Sequence, residues 1–515
     1  MRKNWSILFA SALLGFTVSG CSQQTTVEPV SPDMTREQFS WQAFTDPNGL
    51  TQAKGAHASE LPDEETAEKA DIPSFTYPDA VRGIYVTAHS AGGAKLDELI
   101  ALVDETELNA MVIDIKDDYG WITYSLEGEW APFSKNYIAD PKALLEKLSE
   151  HQIYPIARIV VFKDSVLAAE KPETSFQQAG QVWKNRRGEA FVNPFLKSVW
   201  EHNIEIAKLA AELGFREIQF DYVRFPEGFE TRDQTLTYSM GAYSKEELEP
   251  RLMQEWEKEL VLWEQEQERE MRATNTKPIH NEGAPVGSSP RSIPAFKMIP
   301  SGPPQKIEQR DAITNSPSDE RATETTAASN NEPFPSTPPP PEPVYDAVKA
   351  RVSAVTDFVR YAREQLAPYG VDVSVDIFGY AATLPEAPGI GQNFKEISDQ
   401  VDVISSMIYP SHWGPGYFNI AKPDLEPYRL TREYMKVEKE KLAELENPPI
   451  SRPWLQDFTA SWLGKGNYLS YGPREVEQQV QALLDEGVEE FLLWNAVNNY
   501  TRGVNYAPIK EEADP

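Results

Sequence analysis

Between residues 80 and 510 the chain alternates two patterns of apolar residues. Short, near-continuous apolar runs give way to stretches in which apolar positions recur every three or four residues. The first pattern marks strands buried on both faces, the second helices with one apolar face. In the first half the strand-like runs are RGIYVTA (82–88), NAMVIDIKDD (109–118), IYPIARIVVF (153–162) and REIQFDYVRF (216–225). VDVSVDIFG (371–379), VDVISSMIYP (401–410), PWLQDF (453–458) and EEFLLWNAV (489–497) complete the set. Helical spacing joins Leu96, Leu99, Ile100 and Val103. It recurs in PKALLEKLSEH (141–151), in 197–213 and 345–366, from about 430 to 445, and in PREVEQQVQALLDEG (473–487).

Eight strands separated by helices predict an α/β fold, a parallel (β/α)8 TIM barrel with its helices outside, spanning 80–510. A doubly wound open sheet is the competing arrangement. Its glycine fingerprints are missing: no GxGxxG opens a helix, no GxxxxGK[ST] occurs, and SAGG after the first strand is too short to serve.

The alternation breaks at 230–343, read as an insertion within the barrel after strand four. Residues 244–272 are rich in Glu, Lys and Arg, with Leu260, Val261 and Trp263 among the apolar positions of one long charged helix beside the cleft. Residues 273–343 hold 15 of the 41 prolines and end in PSTPPPPEP. Such a composition buries too little apolar surface to order itself, so this part is expected to be disordered.

The N-terminus follows neither pattern. Arg2 and Lys3 precede the apolar run ILFASALLGF, too short for a comfortable membrane span, and Val18-Ser19-Gly20-Cys21 resembles a bacterial lipobox. Residues 1–21 therefore read as a lipoprotein signal peptide with Cys21 as the lipidated residue. Residues 22–79 read as a flexible tether. The expected location is extracytoplasmic, on a bacterial membrane. Cys21 is the only cysteine, which removes disulfides, thiol nucleophiles and Cys-ligated metals from consideration. A net charge of −31 argues against binding nucleic acid through a basic face.

In such a barrel the chemistry lies at the C-terminal ends of the strands, and the polar residues gather there while the early halves are mostly Val, Ile, Leu and Phe. Tyr85 lies on strand one. Strand two ends in Asp114, Lys116 and Asp117, strand three carries Arg158, and strand four ends in Asp221 and Arg224. Asp376 closes strand five, and Tyr409, His412 and Trp413 follow strand six. Gln456 and Asp457 close strand seven, Trp494 and Asn495 strand eight. Two carboxylates in a cleft lined by aromatic faces suit cleavage of a glycosidic bond, one as acid and the other as nucleophile or base. Asp221 and Asp376, on neighbouring strands, are the catalytic candidates, with Asp457 and Asp117 in reserve. The other residues named would bind a polysaccharide or oligosaccharide. The plain alternative makes Asp221 and Arg224 an ion pair that stitches the core.

RGIYVTAHSAGG, MVIDIKDDYG, FDYVRFP, VSVDIFGY and MIYPSHW, in this order, resemble the bacterial putative glycosyl-hydrolase domain family, barrels of unknown substrate distantly similar to α-amylase-type glycosidases. The resemblance implies a nucleophile at Asp221 and an acid/base on strand five, where Asp376 stands in place of a Glu. Gln219 occupies the position two before the nucleophile where such enzymes carry an Arg. A barrel that binds carbohydrate or scaffolds the cell envelope without catalysis is the competing function.

Metal-dependent amidase or deacetylase chemistry fits poorly, because the six histidines form no HxxH, HxxxH or HExxH pair. No GxSxG marks a serine hydrolase. Calcium on the rim carboxylates is left open. No cofactor or metal is expected.

Overall fold

The computed structural model describes residues 73–275 and 337–507. The expected signal peptide, Cys21, the tether up to residue 72 and the insertion from 276 to 336 lie outside the described residues.

The strands are β1 (Arg82–Val86), β2 (Ala110–Lys116), β3 (Tyr154–Val160), β4 (Gln177–Gln178), β5 (Gln181–Val182), β6 (Glu217–Asp221), β7 (Asp372–Phe378), β8 (Val403–Met407), β9 (Ile450–Ser451), β10 (Trp454–Gln456) and β11 (Phe491–Trp494). The helices are α1 (Ala88–Ala91), α2 (Lys95–Asp104), α3 (Pro141–Glu150), α4 (Ser165–Glu170), α5 (Lys197–Leu213), α6 (Phe229–Arg232), α7 (Lys245–Asn275), α8 (Ala347–Leu366), α9 (Phe394–Ser398), α10 (Pro427–Leu442) and α11 (Pro473–Asp485). Side-chain caps start α1, α3, α4, α8 and α9. Asp140 accepts from the N–H groups of Lys142 and Ala143 ahead of α3, with Pro141 as the first helical residue. At its other end, α5 stops at Gly214, whose φ of 117° turns the chain back toward β6.

All pairings in the main sheet are parallel, in the order β10-β11-β1-β2-β3-β6-β7-β8-β9, and a further pairing of Trp454 with Met407 joins β10 to β8. The sheet thus closes on itself as a barrel of eight strands with helices in the crossovers, as the patterning predicts. The predicted seventh strand, 453–458, is observed as β10; Arg452 and Pro453, the latter with no N–H to donate, separate it from the short β9 that the patterning passes over.

Two corrections follow. The insertion comes after β6, not after the fourth strand in chain order: the β4–β5 hairpin, antiparallel and two residues per strand, precedes it. Gln177–Gln178 and Gln181–Val182 carry no apolar run, so the patterning passes over them. The second correction concerns the run REIQFDYVRF, which ends as a strand at Asp221. Tyr222 has φ 52°, a left-handed conformation that no strand continues through.

The described residues divide into two compact units, one running up to Glu255 and resuming at Glu342, the other between Trp256 and Pro341. The barrel belongs to the first. Within the second, the indole N–H groups of Trp256 and Trp263 donate to the backbone oxygens of Pro340 and Thr337 at 2.9 and 3.1 Å. The predicted charged helix is α7.

Side-chain direction alternates along each barrel strand. Ile84, Met111, Ile113, Ala157, Ile159, Ile218, Phe220, Val375 and Leu493 join the large apolar cluster that packs strands against helices. Tyr85, Ala110, Val112, Tyr154, Ile156, Trp454 and Leu492 form a second, smaller cluster in the lumen. The lumen also takes in charge at the other end, at the starts of the strands. Arg452, fully buried, donates through Nη1 to both oxygens of Glu217 at 2.8 Å and through Nε to Glu490 at 2.7 Å. Tyr77, ahead of β1, accepts from Arg452 at 2.7 Å and donates to Glu490 at 2.9 Å. The strap at 73–77 is held further by Arg216, whose Nη2 donates to the Pro73 oxygen at 3.0 Å.

Candidate active site

The upper lumen is organised around Arg158 on β3. In register, Asp114 on β2 lies beside Arg158, and Val160 lies beside Asp221 on β6. Arg158, 1% exposed, donates through Nη1 to Asp114 at 2.6 Å, through Nη2 to Asp221 at 2.6 Å and to Asp118 at 3.1 Å, and through Nε to Asp221 at 3.0 Å. One guanidinium thus orients three carboxylates, using the planar fork that a lysine lacks. Its face also lies 5.4 Å from the Tyr85 ring and 5.5 Å from the Trp494 ring.

Asp376 belongs to the same level. The β6–β7 ladder pairs Phe220 with Val375, so Asp221 and Asp376 are the next neighbours. Adjacent strands lie about 4.8 Å apart. The two carboxylates are partnered differently. Asp376 receives the indole N–H of Trp454 at 2.7 Å and no arginine. Burial pushes its carboxyl well above the ordinary range, and the charge of Asp221 pushes further in the same direction. Asp221 is paired with Arg158, and its second oxygen accepts the backbone N–H of Tyr222. The left-handed turn at Tyr222 follows directly on this carboxylate.

Tyr85 donates to Asp114 at 2.6 Å and stacks on Trp494, ring centres 4.1 Å apart. Trp454 stands edge-on to Trp494 at 5.5 Å. Burial pushes Asp114 up to about 7 against the pull of Arg158. Burial also raises Asp118, but the charges of Lys163, Arg158 and Arg187 outweigh it and hold that carboxyl below its usual range. Tyr409, buried, has its hydroxyl pushed up by burial and then by Asp376 and Asp221.

The remaining candidates take other places. Lys116 faces away from the lumen, fully buried: its ammonium pairs with Asp164 at 2.6 Å and donates to the Val160 oxygen at 2.7 Å and to Asn203 at 3.0 Å. Asp117 accepts the N–H groups of Tyr119, Gly120 and Trp121 and shapes the loop after β2. Trp413 packs on Tyr417 and Tyr434 in the outer apolar cluster. Gln456 ties Ser411 to Asp424, Asp457 accepts from Thr501, and Asn495 donates to the Asp457 oxygen. Arg224 pairs with Glu227 at 2.7 Å, with the rings of Tyr222 and Phe378 within 4.7 Å. The alternative pairing of Asp221 with Arg224 is not formed, because Asp221 is taken by Arg158. His412 contacts Ser411 at 3.0 Å, and burial holds its imidazole down at about 4.

Several residues of this neighbourhood escape the sequence reading. Asp118 stands beside the chosen Asp117, but only Asp118 reaches Arg158. Lys163 pairs with Glu189 at 3.0 Å and donates to the Tyr222 hydroxyl at 3.3 Å. Trp454 hides within an apolar run. A charged residue at a strand end was the available signal for Asp118 and Lys163; nothing local marks Trp454. Among the described residues no group of three or more His, Cys, Asp or Glu side chains is placed to hold a metal ion. Among them, too, no helix is long and apolar enough to cross a membrane.

Comparison with known proteins brings in relatives. No curated protein matches the chain. Among solved structures, a hypothetical protein from Ruminiclostridium thermocellum is 33% identical, with 33% of this chain and 86% of that chain covered and a TM-score of 0.29. The PgaB (BpsB) glycoside hydrolase domain from Bordetella bronchiseptica is 13% identical, covering 81% of this chain and 94% of that chain with a TM-score of 0.45. A chitinase from Chromobacterium violaceum is 10% identical, covering 83% and 95% with a TM-score of 0.35. The family described as "Putative glycosyl hydrolase domain" matches residues 83–277 and 306–500. These segments hold Arg158, Asp221 and Asp376, and membership supports a general glycoside hydrolase role on a carbohydrate substrate. The chain belongs to the putative glycosyl hydrolase domain family.

Proposed function

We propose that this chain cleaves or transfers glycosidic bonds in an extracytoplasmic polysaccharide through Asp221 and Asp376. The observation that carries the reading is the unequal partnering of two adjacent buried carboxylates. Asp221 is ion-paired with Arg158, whereas Asp376 has only a neutral indole donor and a carboxyl pushed upward by burial. Neighbouring carboxyls with such unlike partners can divide the work of glycoside cleavage. Asp376, protonated, gives its proton to the leaving oxygen. Asp221, ionised, attacks the anomeric carbon or stabilises the positive charge that develops there. Arg158 and the Tyr222 N–H keep the Asp221 oxygens in place.

A non-catalytic barrel would gain support from an arginine on each carboxylate. Of the two, Asp221 is the one ion-paired with an arginine. The test is hydrolysis of a panel of cell-wall and exopolysaccharide fragments by the full chain, beside Asp221→Asn and Asp376→Asn. Both variants should fold and lose about 10²- to 10⁴-fold in kcat. Equal turnover by all three proteins would move the chemistry elsewhere, and saturable binding without turnover would favour the binding barrel.

The location is part of the same proposal. Cys21, at the end of a lipobox-like sequence and the only cysteine, is the acylated residue of a membrane-anchored lipoprotein. Incorporation of labelled fatty acid into the wild type, and its loss in Cys21→Ala, is the expected result.

A further inference from the structure

Beyond the carboxylates, the rings after β8 and β10 form a ramp leading out of the lumen. Tyr409, 6% exposed, belongs to the lumen cluster of Trp454, the hydrogen-bond partner of Asp376, and stands edge-on to Phe458 with ring centres 5.8 Å apart. Phe458, half-buried, lies nearly parallel to Trp462, 5.9 Å away at 23°. Trp462 is 48% exposed. His412 stands edge-on to Phe458 and to Trp462, at 6.2 and 6.3 Å, and buttresses the pair.

Hydrogen bonds tie the backbone that carries these rings. Gln456 Nε2 donates to the Phe458 oxygen at 3.0 Å. The loop behind Trp462 is closed by Leu463 N–H to the Ala460 oxygen, by Asn467 Nδ2 to the Leu463 oxygen and by Tyr471 N–H to Thr459. A fixed, half-exposed indole at the C-terminal mouth of the barrel costs little further ordering when a flat apolar ligand settles on it.

We infer that Trp462, backed by Phe458, is an outer sugar-stacking subsite that takes the apolar face of a pyranose ring of a polymeric substrate, distinct from the ring being cleaved. This rests on the glycosidase reading of the barrel and goes beyond it by requiring a chain longer than the bond under attack. The trail of rings from the neighbourhood of Asp376 to solvent supplies the direction, and Trp462 is the outermost member. The strand-end tryptophans singled out by sequence do not offer such a face: Trp413 is buried, and Trp494 is covered by Tyr85.

The experiment compares the full-length wild type with Trp462→Ala and Trp462→Phe on the glycan turned over fastest in the panel, as long oligomers and as the shortest cleavable fragment. Trp462→Ala should raise KM for the oligomers about 3- to 10-fold, with kcat within about 2-fold, and leave the shortest fragment unaffected. Trp462→Phe should restore most of the loss. Unchanged KM in Trp462→Ala, or equal damage on long and short substrates, would overturn the subsite. If the wild type turns over nothing, the catalytic reading fails separately. Calorimetric titration with cellopentaose and chitopentaose then decides the subsite: weaker binding by Trp462→Ala supports it, and equal or absent binding overturns it.

Discussion

Arg158 spends both Nε and Nη2 on a single oxygen of Asp221, at 3.0 and 2.6 Å, while its Nη1 holds Asp114. The other Asp221 oxygen is left to one backbone N–H. The two converging N–H groups fix the position of that oxygen as well as balancing its charge, and a point-like ammonium does only the second. Arg158→Lys is therefore expected to lower kcat about 10²- to 10³-fold with a smaller change in KM, read from steady-state kinetics on the best substrate. Arg158→Met should cost about 3–5 kcal/mol in denaturant unfolding, because it strands buried carboxylates without their counter-ion.

Asp376 sets the direction of the pH dependence. Its carboxyl is raised in the folded protein, so folding takes up a proton that the unfolded chain has released. The stability it contributes is complete below the ordinary carboxylate range and is lost as pH rises through the raised value. Asp376→Asn should therefore be less pH-sensitive than the wild type and relatively more stable in alkaline solution. In the active enzyme the same deprotonation should remove the general acid and produce the falling alkaline limb of kcat/KM. Parallel stability profiles for wild type and variant would refute this.

Lys116 distinguishes a structural cation from a substrate contact. It is fully buried against Asp164 and two backbone oxygens. Lys116→Met should cost about 3–5 kcal/mol while KM stays unchanged at temperatures where the variant remains folded. A raised KM at full stability would return Lys116 to the site.

Tyr222 holds a left-handed backbone, φ 52°, which costs a non-glycine residue roughly 1–2 kcal/mol. Asn tolerates this conformation and a β-branched residue does not. Tyr222→Val should thus be less stable than Tyr222→Asn by about that amount in thermal or denaturant unfolding. Equal stability would mean that the turn carries no strain.

The eight barrel strands were legible because each is buried on both faces and so reads as an apolar run, with ends off by no more than four residues. Asp114, Arg158, Asp221 and Asp376 were legible as charges where such runs close. Their neighbours were not all sorted correctly, and alternation is the reason: a strand end carrying IDIKDD shows which residues are charged but not which face each takes. A register shift between Asp114 and Lys116 adds to the ambiguity after that point. The charges at strand starts, Glu217 and Arg452, ran against the expectation of apolar early halves. Their partners are 235 residues apart in sequence, and no local pattern carries such a pairing. Trp454 and Trp462 likewise gain meaning only from what the barrel brings beside them.

The strap at 73–77 is pinned by Tyr77 and by the Pro73 oxygen at the end of the barrel where the strands begin. Asp221 and Asp376 lie toward the opposite end, where the strands finish. In the proposed lipoprotein, a pull transmitted from Cys21 would therefore reach the barrel at its floor, on the side away from Asp221 and Asp376. Such an attachment would let the barrel present its strand-end carboxylates outward, and the number of residues between Cys21 and Pro73 would set how far they reach.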